Sequence, residues 1–258
     1  MIDGHMHLEY GPLNVEYVME FVKEAVNKGL DEIQILDHTH RFVEYLPIYE
    51  DLKEAAPQQK EWLEKKELNT LAEYHALIEQ VKAMELPIKV KFGLEVCYSP
   101  IHEQKIKELL ALYPYDFVVG SIHSIDSLLY DMSSFSKDIL WNKFSADHIY
   151  KRYYEIMEEL IKSDLFTQVG HPDTLKLFQI YPSYDLKPTY HHIAKLMKEH
   201  NVLAENNTGC YYRYNHPDMG LSDEFLNILK EEGVKIITAS DAHHPLDVGT
   251  NIADITNK

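Results

Sequence analysis

The chain has 258 residues, of which 45% are hydrophobic, so it can bury the core of one large or two small α/β domains. Its formal net charge of −17 argues against a nucleic-acid partner, because binding to a phosphate backbone requires faces rich in Lys and Arg. A small anionic substrate is still allowed, since bound metals and other local cations can reverse the field inside a single cleft.

No basic and apolar leader precedes the first predicted strand, and no uninterrupted apolar run approaches the length of a membrane span. Cys97 and Cys210 are far apart in the sequence, and neither belongs to a paired-cysteine motif. We therefore expect a soluble cytoplasmic protein in which both thiols are reduced.

Extended apolar stretches alternate with helical patterns along the chain, which is typical of a mainly parallel sheet covered by helices. Apolar residues at helical spacing follow Asn14, a plausible cap, and stop before Gly29. The predicted strands are 1–7, 32–36, 88–95, 117–123, 166–171, 202–206 and 235–240. The predicted helices are 14–28, 61–84, 101–112, 147–163, 188–200 and 222–232.

Two segments lack a clear period. Residues 41–60 are rich in charge, Pro and Tyr, and we expect an irregular surface there. Residues 124–146 form a long predicted loop, which indicates either a functional lid or an ordinary insertion. The sequence contains no recognisable linker, so we predict a single α/β domain over residues 1–258. Its seven predicted strands indicate a (β/α)7 barrel related to the eight-fold form.

A His-x-His pair, His5 and His7, ends the first predicted strand. Because side chains alternate along a strand, both imidazoles point to one side and can hold one metal ion. A lone pair of this kind is weak evidence. Five later segments, however, end in the same chemistry: Asp37-His38-Thr39-His40, Gly93-Leu94-Glu95, Gly120-Ser121-Ile122-His123, Gly170-His171-Pro172-Asp173 and Ser240-Asp241-Ala242-His243.

Imidazole and carboxylate ligands without cysteine suit Zn, Mn or Fe. Any one of these histidines could be an ordinary core or surface residue, but their joint position at strand ends favours metal binding. Eight candidate ligands exceed the number that one ion can bind, so we expect several ions, and Glu95 could bridge two of them. These candidates are His5, His7, His38, Glu95, His123, His171, Asp241 and His243. Asp37 is expected to orient an imidazole. The roles of His40 and His244 stay open, and we assign structural roles to His75, His102, His148, His191, His192, His200 and His216.

Taken together, these motifs and Glu205-Asn206-Asn207-Thr208-Gly209 resemble the polymerase-and-histidinol-phosphatase (PHP) family of metal-dependent phosphoesterases, and most of all its histidinol phosphate phosphatases. The resemblance implies a distorted seven-stranded barrel with three divalent ions. It implies one ion at His5, His7, Glu95 and Asp241, a second at Glu95, His123 and His171, and a third at His38 and His243. The stretch after His7 is shortened relative to the family pattern, and Glu9 is our candidate for the missing ligand.

The resemblance also implies hydrolysis of L-histidinol phosphate to L-histidinol and phosphate in histidine biosynthesis. A hydroxide generated by the metal site would attack phosphorus, with Asp241 or His243 as the acid. We expect Arg152, Lys176 and Arg213 to contact phosphate, unless they are solvated surface residues. Glu9 or Asp173 could pair with the substrate ammonium group, and the tyrosines of 211–214 could stack on its imidazole ring.

Three alternatives remain. A family member could hydrolyse another phosphate ester, such as phosphotyrosine or a nucleotide. An amidohydrolase would share the first His-x-His and the late Asp, but it would need a carboxylated Lys where Glu95 stands. A non-catalytic domain like those attached to bacterial DNA polymerases would often lack several ligands, whereas this chain retains the set.

Overall fold

The computed structural model describes residues 1–256. Seven parallel strands within that range form one sheet in the spatial order in which they occur along the chain. They are Ile2–His7 (β1), Glu32–Leu36 (β2), Lys89–Cys97 (β3), Phe117–Ser121 (β4), Gln168–Val169 (β7), Leu203–Asn207 (β8) and Ile236–Ala239 (β9). Two short strands, Ser124–Ile125 (β5) and Leu128–Leu129 (β6), pair separately as an antiparallel hairpin.

The segment that follows β9 lies beside β1 and nearly closes the sheet into a barrel. The backbone N–H of His7 donates to the carbonyl oxygen of Ala242 at 2.7 Å. The backbone N–H of Asp241 donates to the carbonyl oxygen of His5 at 2.9 Å. At the same seam, the buried carboxylate of Asp3 accepts hydrogen bonds from the backbone N–H and the hydroxyl of Ser240. These contacts confirm the predicted α/β barrel with a mainly parallel sheet.

Helices cover the outside of this sheet. The first of them begins and ends where the sequence predicts. Asn14 Oδ1 accepts a hydrogen bond from Tyr17 N at 2.9 Å, and Gly29 ends the helix with φ +70°, which glycine adopts without strain. The helices are Val15–Asn27 (α1), Glu50–Ala55 (α2), Pro57–Glu64 (α3), Leu71–Lys82 (α4), Glu103–Leu110 (α5), Ala146–Lys162 (α6), Lys187–Glu199 (α7), Gly209–Tyr214 (α8), Asp223–Glu232 (α9) and Ile252–Ile255 (α10). In the described part of the chain, none of them is long and apolar enough to cross a membrane.

The predicted irregular surface at 41–60 is wrong. A 3-10 helix at Val43–Tyr49 leads into α2 and α3, and the side chains of Tyr45 and Leu52 are buried in the core. Buried residues recur there every three or four positions, which is a helical period. The surrounding charges and Pro47 obscure that period in the sequence.

The predicted long helix at 61–84 is two helices, because α3 ends at Glu64 and α4 begins at Leu71. Thr70 starts the second helix with a capping box. Its hydroxyl accepts a hydrogen bond from Glu73 N at 3.1 Å, while the Glu73 carboxylate accepts one from Thr70 N at 2.7 Å. The break places a loop, residues 65–70, at the rim of the barrel.

Residues 124–146 are packed against the barrel, so the structure does not support a lid. The segment contains the β5–β6 hairpin and a π-helix at Lys137–Trp141. Tyr130 is fully buried, and Trp141 Nε1 donates to its carbonyl oxygen at 2.8 Å. This segment forms a fixed wall beside the ends of the strands.

Candidate metal centre

The carboxyl ends of the parallel strands form one rim of the barrel, where active sites of such folds lie. Glu95 is near the end of β3, and His5 and His7 share one buried face of β1. Four of the remaining candidates each follow a strand by two residues: His38 after β2, His123 after β4, His171 after β7 and Asp241 after β9. His243 follows β9 by four residues.

Glu95 lies at the centre of this rim and is almost completely buried. Its Oε2 atom is 2.7 Å from His38 Nδ1, while its Oε1 atom is 3.2 Å from His123 Nε2 and 3.0 Å from His171 Nε2. The two carboxylate oxygens therefore face two different sets of imidazoles. This arrangement suits a carboxylate that bridges two cations.

His5, His7, Glu95 and Asp241 form a compact set of four side chains. The Nε2 atom of His7 is 3.3 Å from Asp241 Oδ1 and 3.5 Å from Glu95 Oε2, and the corresponding distances from His5 Nε2 are 3.7 and 3.6 Å. Bonds of about 2.1 Å in a tetrahedral site would place neighbouring ligand atoms about 3.4 Å apart. The distances from the two imidazoles to each carboxylate are therefore close to those that a small cation between them would set.

Glu9, the replacement ligand suggested by the sequence, lies beside the last histidine motif. Its Oε2 atom is 3.0 Å from His243 Nδ1 and 3.9 Å from His38 Nε2. His40, whose role the sequence leaves open, is buried with Nε2 3.4 Å from Glu9 Oε1. His244 is exposed and stacks on Tyr10, outside this cluster.

Among residues 1–256, three sets of side chains could each hold a metal ion, because one ligand atom from every member lies within 4.8 Å of the others. His38 belongs to two of them and so connects the Glu95 side of the rim to the His243 side. The sets are His5, His7 and Asp241; His38, Glu95 and His123; and His7, His38 and His243.

The donors at this rim are also oriented as a cation would require. The Nε2 atoms of His5 and His7 lie only 2.9 Å apart, while Nδ1 of His5 donates to Glu205 at 2.8 Å. Glu95 Oε2 is buried and makes no well-aligned hydrogen bond with any of residues 1–256. Such unmatched buried groups cost free energy on their own, and a bound cation would satisfy them.

The pKa shifts of two of these side chains, Glu95 and His7, fit the same role. Burial would raise the pKa of Glu95, but the neighbouring His38, His5 and His123 outweigh that effect and hold the pKa well below its ordinary value. Burial, reinforced by the charges of His38 and His243, lowers the pKa of His7 well below the usual range. A carboxylate and a neutral imidazole are the forms in which these side chains bind metals.

Two of the candidate ligands have a left-handed backbone, which non-glycine residues rarely adopt. His171 has φ +28° and Asp241 has φ +58°. Gly209 gives Asp241 room, since a Cβ atom at residue 209 would lie 2.8 Å from Asp241 Oδ2. Backbone strain of this kind is concentrated at functional sites, where the surrounding structure holds it in place.

Two acidic residues orient the histidines, a role that the sequence did not assign to them. Glu205 accepts hydrogen bonds from His5 Nδ1 at 2.8 Å and from the backbone N–H of His171 at 3.0 Å. Asp131 accepts one from His123 Nδ1 at 2.7 Å. Glu205 stands near the end of β8, a position that could have identified it, whereas no sequence pattern marks Asp131.

The three cations predicted to contact phosphate differ in position. Arg213 lies in α8, where the sequence predicted a loop, and lines a pocket beside the ligand cluster. Its Nη1 atom is 3.4 Å from Asp241 Oδ2.

Arg152 and Lys176 do not line that pocket. Arg152 Nε donates to Asp126 at 2.9 Å on the outer side of α6. Lys176 is buried, and its Nζ atom donates to Asp173 at 2.8 Å and to the carbonyl oxygen of Gly220. The structure therefore does not support either as a phosphate contact, and Asp173 is not free for a substrate ammonium group.

A model of the PHP domain family matches residues 3–209, most of the chain. The chain belongs to the PHP domain family. All of the candidate ligands except Asp241 and His243 fall inside the matched range.

Among PHP relatives, the probable histidinol-phosphatase of Deinococcus radiodurans is 26% identical over 261 residues, which cover 98% of this chain and 90% of the relative. The histidinol-phosphatase of Bacillus subtilis is 25% identical over 264 residues, which cover 96% of this chain and 95% of the relative. Both likenesses extend over nearly the whole of each chain.

Two solved structures share the fold. The histidinol phosphate phosphatase of Lactococcus lactis, complexed with zinc, L-histidinol and phosphate, superposes with a TM-score of 0.70 at 21% identity and covers 99% of this chain and 92% of that one. The putative histidinol phosphatase of Listeria monocytogenes gives 0.76 at 18% identity, covering 99% and 100%.

Proposed function

We propose that this chain is a metal-dependent phosphomonoesterase that hydrolyses L-histidinol phosphate to L-histidinol and phosphate. The observation that carries the proposal is the convergence of nine buried or half-buried imidazoles and carboxylates at one rim of the barrel, where six of them line a pocket together with Arg213. The names of the curated relatives support the choice of substrate. So does the zinc, histidinol and phosphate complex of the Lactococcus lactis protein.

We further propose a site for three divalent ions, Zn, Mn or Fe. Glu9 completes the third position beside His38 and His243, where its carboxylate lies 3.0 Å from His243. His38 also lies 2.7 Å from Glu95, so the second and third positions adjoin. The proposed sets are His5, His7, Glu95 and Asp241; Glu95, His123 and His171; and Glu9, His38 and His243.

Bound divalent ions would lower the pKa of water and neutralise charge on the phosphoryl oxygens. The protein's own residues bind and orient the substrate around them. Arg213 donates hydrogen bonds to the phosphoryl group through a planar guanidinium. Glu205 and Asp131 hold the imidazoles of His5 and His123 in fixed orientations. Asp241 and His243 both line the pocket and are the two candidates for the acid that protonates the leaving alkoxide.

The remainder of the pocket suits an aromatic amino alcohol. Tyr10, Tyr49, Trp62 and Tyr214 line it, and Tyr214 is the one member of the predicted tyrosine cluster 211–214 that does so. These faces can stack on an imidazole ring. Asp131 also lines the pocket, and it can pair with the substrate ammonium group through the oxygen that does not bond to His123.

The test is a comparison of kcat/KM for the metal-loaded protein across a panel of monoesters. The panel contains histidinol phosphate, phosphotyrosine and a nucleoside monophosphate. We expect histidinol phosphate to lead by a clear margin, because only it offers both an imidazole and an ammonium group. If another ester leads the panel, the substrate assignment is wrong although a phosphatase remains.

A further inference from the structure

The pocket beside the metal centre contains two cationic side chains among the residues that the structure describes. One is Arg213, and the other is Lys66, which sequence reasoning did not single out. A phosphate monoester carries up to two negative charges at neutral pH. The cluster of carboxylates at this rim would repel it unless cations face the same space.

Lys66 is held over the pocket by its surroundings. It lies in the loop between α3 and α4, with Nζ 4.5 Å from the centre of the Trp62 ring. The end of this loop is fastened to the barrel, because Arg41 Nε donates to Asn69 Oδ1 at 2.9 Å and Asn69 N donates to the Arg41 carbonyl oxygen at 2.8 Å. Arg41 in turn is buried against Asp37, so this end of the loop is anchored to the core of the barrel.

Lys66 and Arg213 stand at opposite ends of one row of polar contacts. Lys66 Nζ contacts Glu9 Oε1 at 2.5 Å, and Glu9 Oε2 is 3.0 Å from His243 Nδ1. His243 Nε2 is 3.4 Å from Asp241 Oδ1, while Asp241 Oδ2 is 3.4 Å from Arg213 Nη1. The two cations therefore flank His243 from two sides and face the same pocket.

We propose that Lys66 is a second phosphate-binding residue, which contacts the phosphoryl group from the side opposite Arg213. This inference rests on the proposed phosphatase function. An ammonium group has three N–H donors, and Glu9 occupies one, so others remain for phosphoryl oxygens. When Glu9 ligates a cation, less of its charge is available to Lys66, which then pairs with the substrate anion.

The test uses Lys66→Gln, with Lys66→Arg as the variant that keeps the charge. Lys65→Gln is a matched control, because Lys65 is the neighbouring residue, its side chain is 71% exposed and its ion-pair partner is Glu61. For each metal-loaded protein we would measure the binding of inorganic phosphate by calorimetry, the metal content, and KM and kcat for histidinol phosphate.

We expect Lys66→Gln to weaken phosphate binding and raise KM by about tenfold or more, since a hydrogen bond to a charged group contributes that much. Its metal content should equal that of the wild type, and Lys66→Arg should restore most of the loss. Phosphate binding within about twofold of Lys65→Gln would overturn the inference. A loss of metal that accompanies the loss of phosphate would also overturn it, because Lys66 would then act by placing Glu9.

The same data separate this inference from the proposed function. Phosphate binding that depends on Lys66 in a protein that does not turn over histidinol phosphate would defeat the substrate assignment and leave Lys66 as an anion-binding residue. Rapid hydrolysis of histidinol phosphate that is unchanged in Lys66→Gln would support the substrate assignment and exclude Lys66 as a phosphate-binding residue.

Discussion

Glu9 and His243 are separated by 234 positions in the chain, yet their side chains meet at 3.0 Å at the barrel rim. Glu9 lies just after β1 and His243 just after β9, so the near-closure of the sheet is what brings them together. The shortened stretch after His7 therefore still places a carboxylate where we propose that the third ion binds.

Replacement of Glu9 by Gln tests its role as a ligand. We expect the metal content to fall by about one ion per chain, because His38 and His243 alone would leave two protein ligands for the third ion. Elemental analysis of the purified protein measures this directly. Glu67→Gln is the control, because it makes the same change of charge at an exposed position. An unchanged ion count in Glu9→Gln would remove Glu9 from the ligand set.

Replacement of Arg213 by Lys should lower kcat/KM for histidinol phosphate by about tenfold or more. A lysine keeps the charge but loses the planar pair of donors that grips phosphate. Arg152→Lys is the counterpart, because Arg152 is paired with Asp126 and Glu155 outside the pocket. Equal losses in the two variants would contradict the assignment of Arg213.

Glu205→Gln should weaken metal binding by about 10- to 100-fold, the usual cost of losing a partner that orients a ligand. The wild-type carboxylate accepts four hydrogen bonds, from His5, His171, Gln168 and Asn207. The glutamine amide has one acceptor oxygen instead of two, so its NH2 group would face at least one of these four N–H donors. Titration of the metal-free protein with Zn²⁺ measures the change. Wild-type affinity in this variant would mean that His5 keeps its orientation without Glu205.

Tyr45→Phe should stabilise the protein. The Tyr45 hydroxyl is buried and has no hydrogen-bond partner among residues 1–256, so its removal should gain about 1 kcal/mol in the free energy of unfolding at pH 7. Burial, with the charge of Glu44, raises the pKa of Tyr45. The unfolded chain therefore ionises first, near pH 10, and stability falls as the pH rises beyond that value. The gain from Tyr45→Phe should accordingly be larger at pH 11 than at pH 7.

Tyr74→Phe is the matched control in urea denaturation. The Tyr74 hydroxyl is also buried, but it donates to the Gly93 carbonyl oxygen at 2.8 Å. Its removal should cost about 1 kcal/mol at pH 7. Destabilisation by both variants to the same extent would show that Tyr45 has a partner after all.

Sequence reasoning located the candidate metal centre because its signals are local. Strand alternation places His5 and His7 on one face, and the ends of parallel strands share one rim, so the position of each motif along its own strand is enough. Helix caps such as Asn14 are equally local, and the structure confirms the helix that begins there.

The errors lie where distant packing decides. Arg152 and Lys176 were expected to contact phosphate, but Arg152 pairs with Asp126, 26 positions away, and Lys176 is held by the carbonyl oxygen of Gly220, 44 positions away, as well as by the nearby Asp173. The sequence did not identify Lys66, because that residue falls within a single predicted helix, 61–84. The break between α3 and α4 at Thr70 turns an expected mid-helix lysine into a residue at the rim.

The central claim is most directly tested by measuring bound metal and histidinol phosphate hydrolysis in one preparation, before chelation, after it, and after the ions are restored. The proposed site predicts about three divalent ions per chain, loss of phosphate release as they are removed, and recovery when they return. Phosphate release that persists in protein stripped of metal would contradict the account.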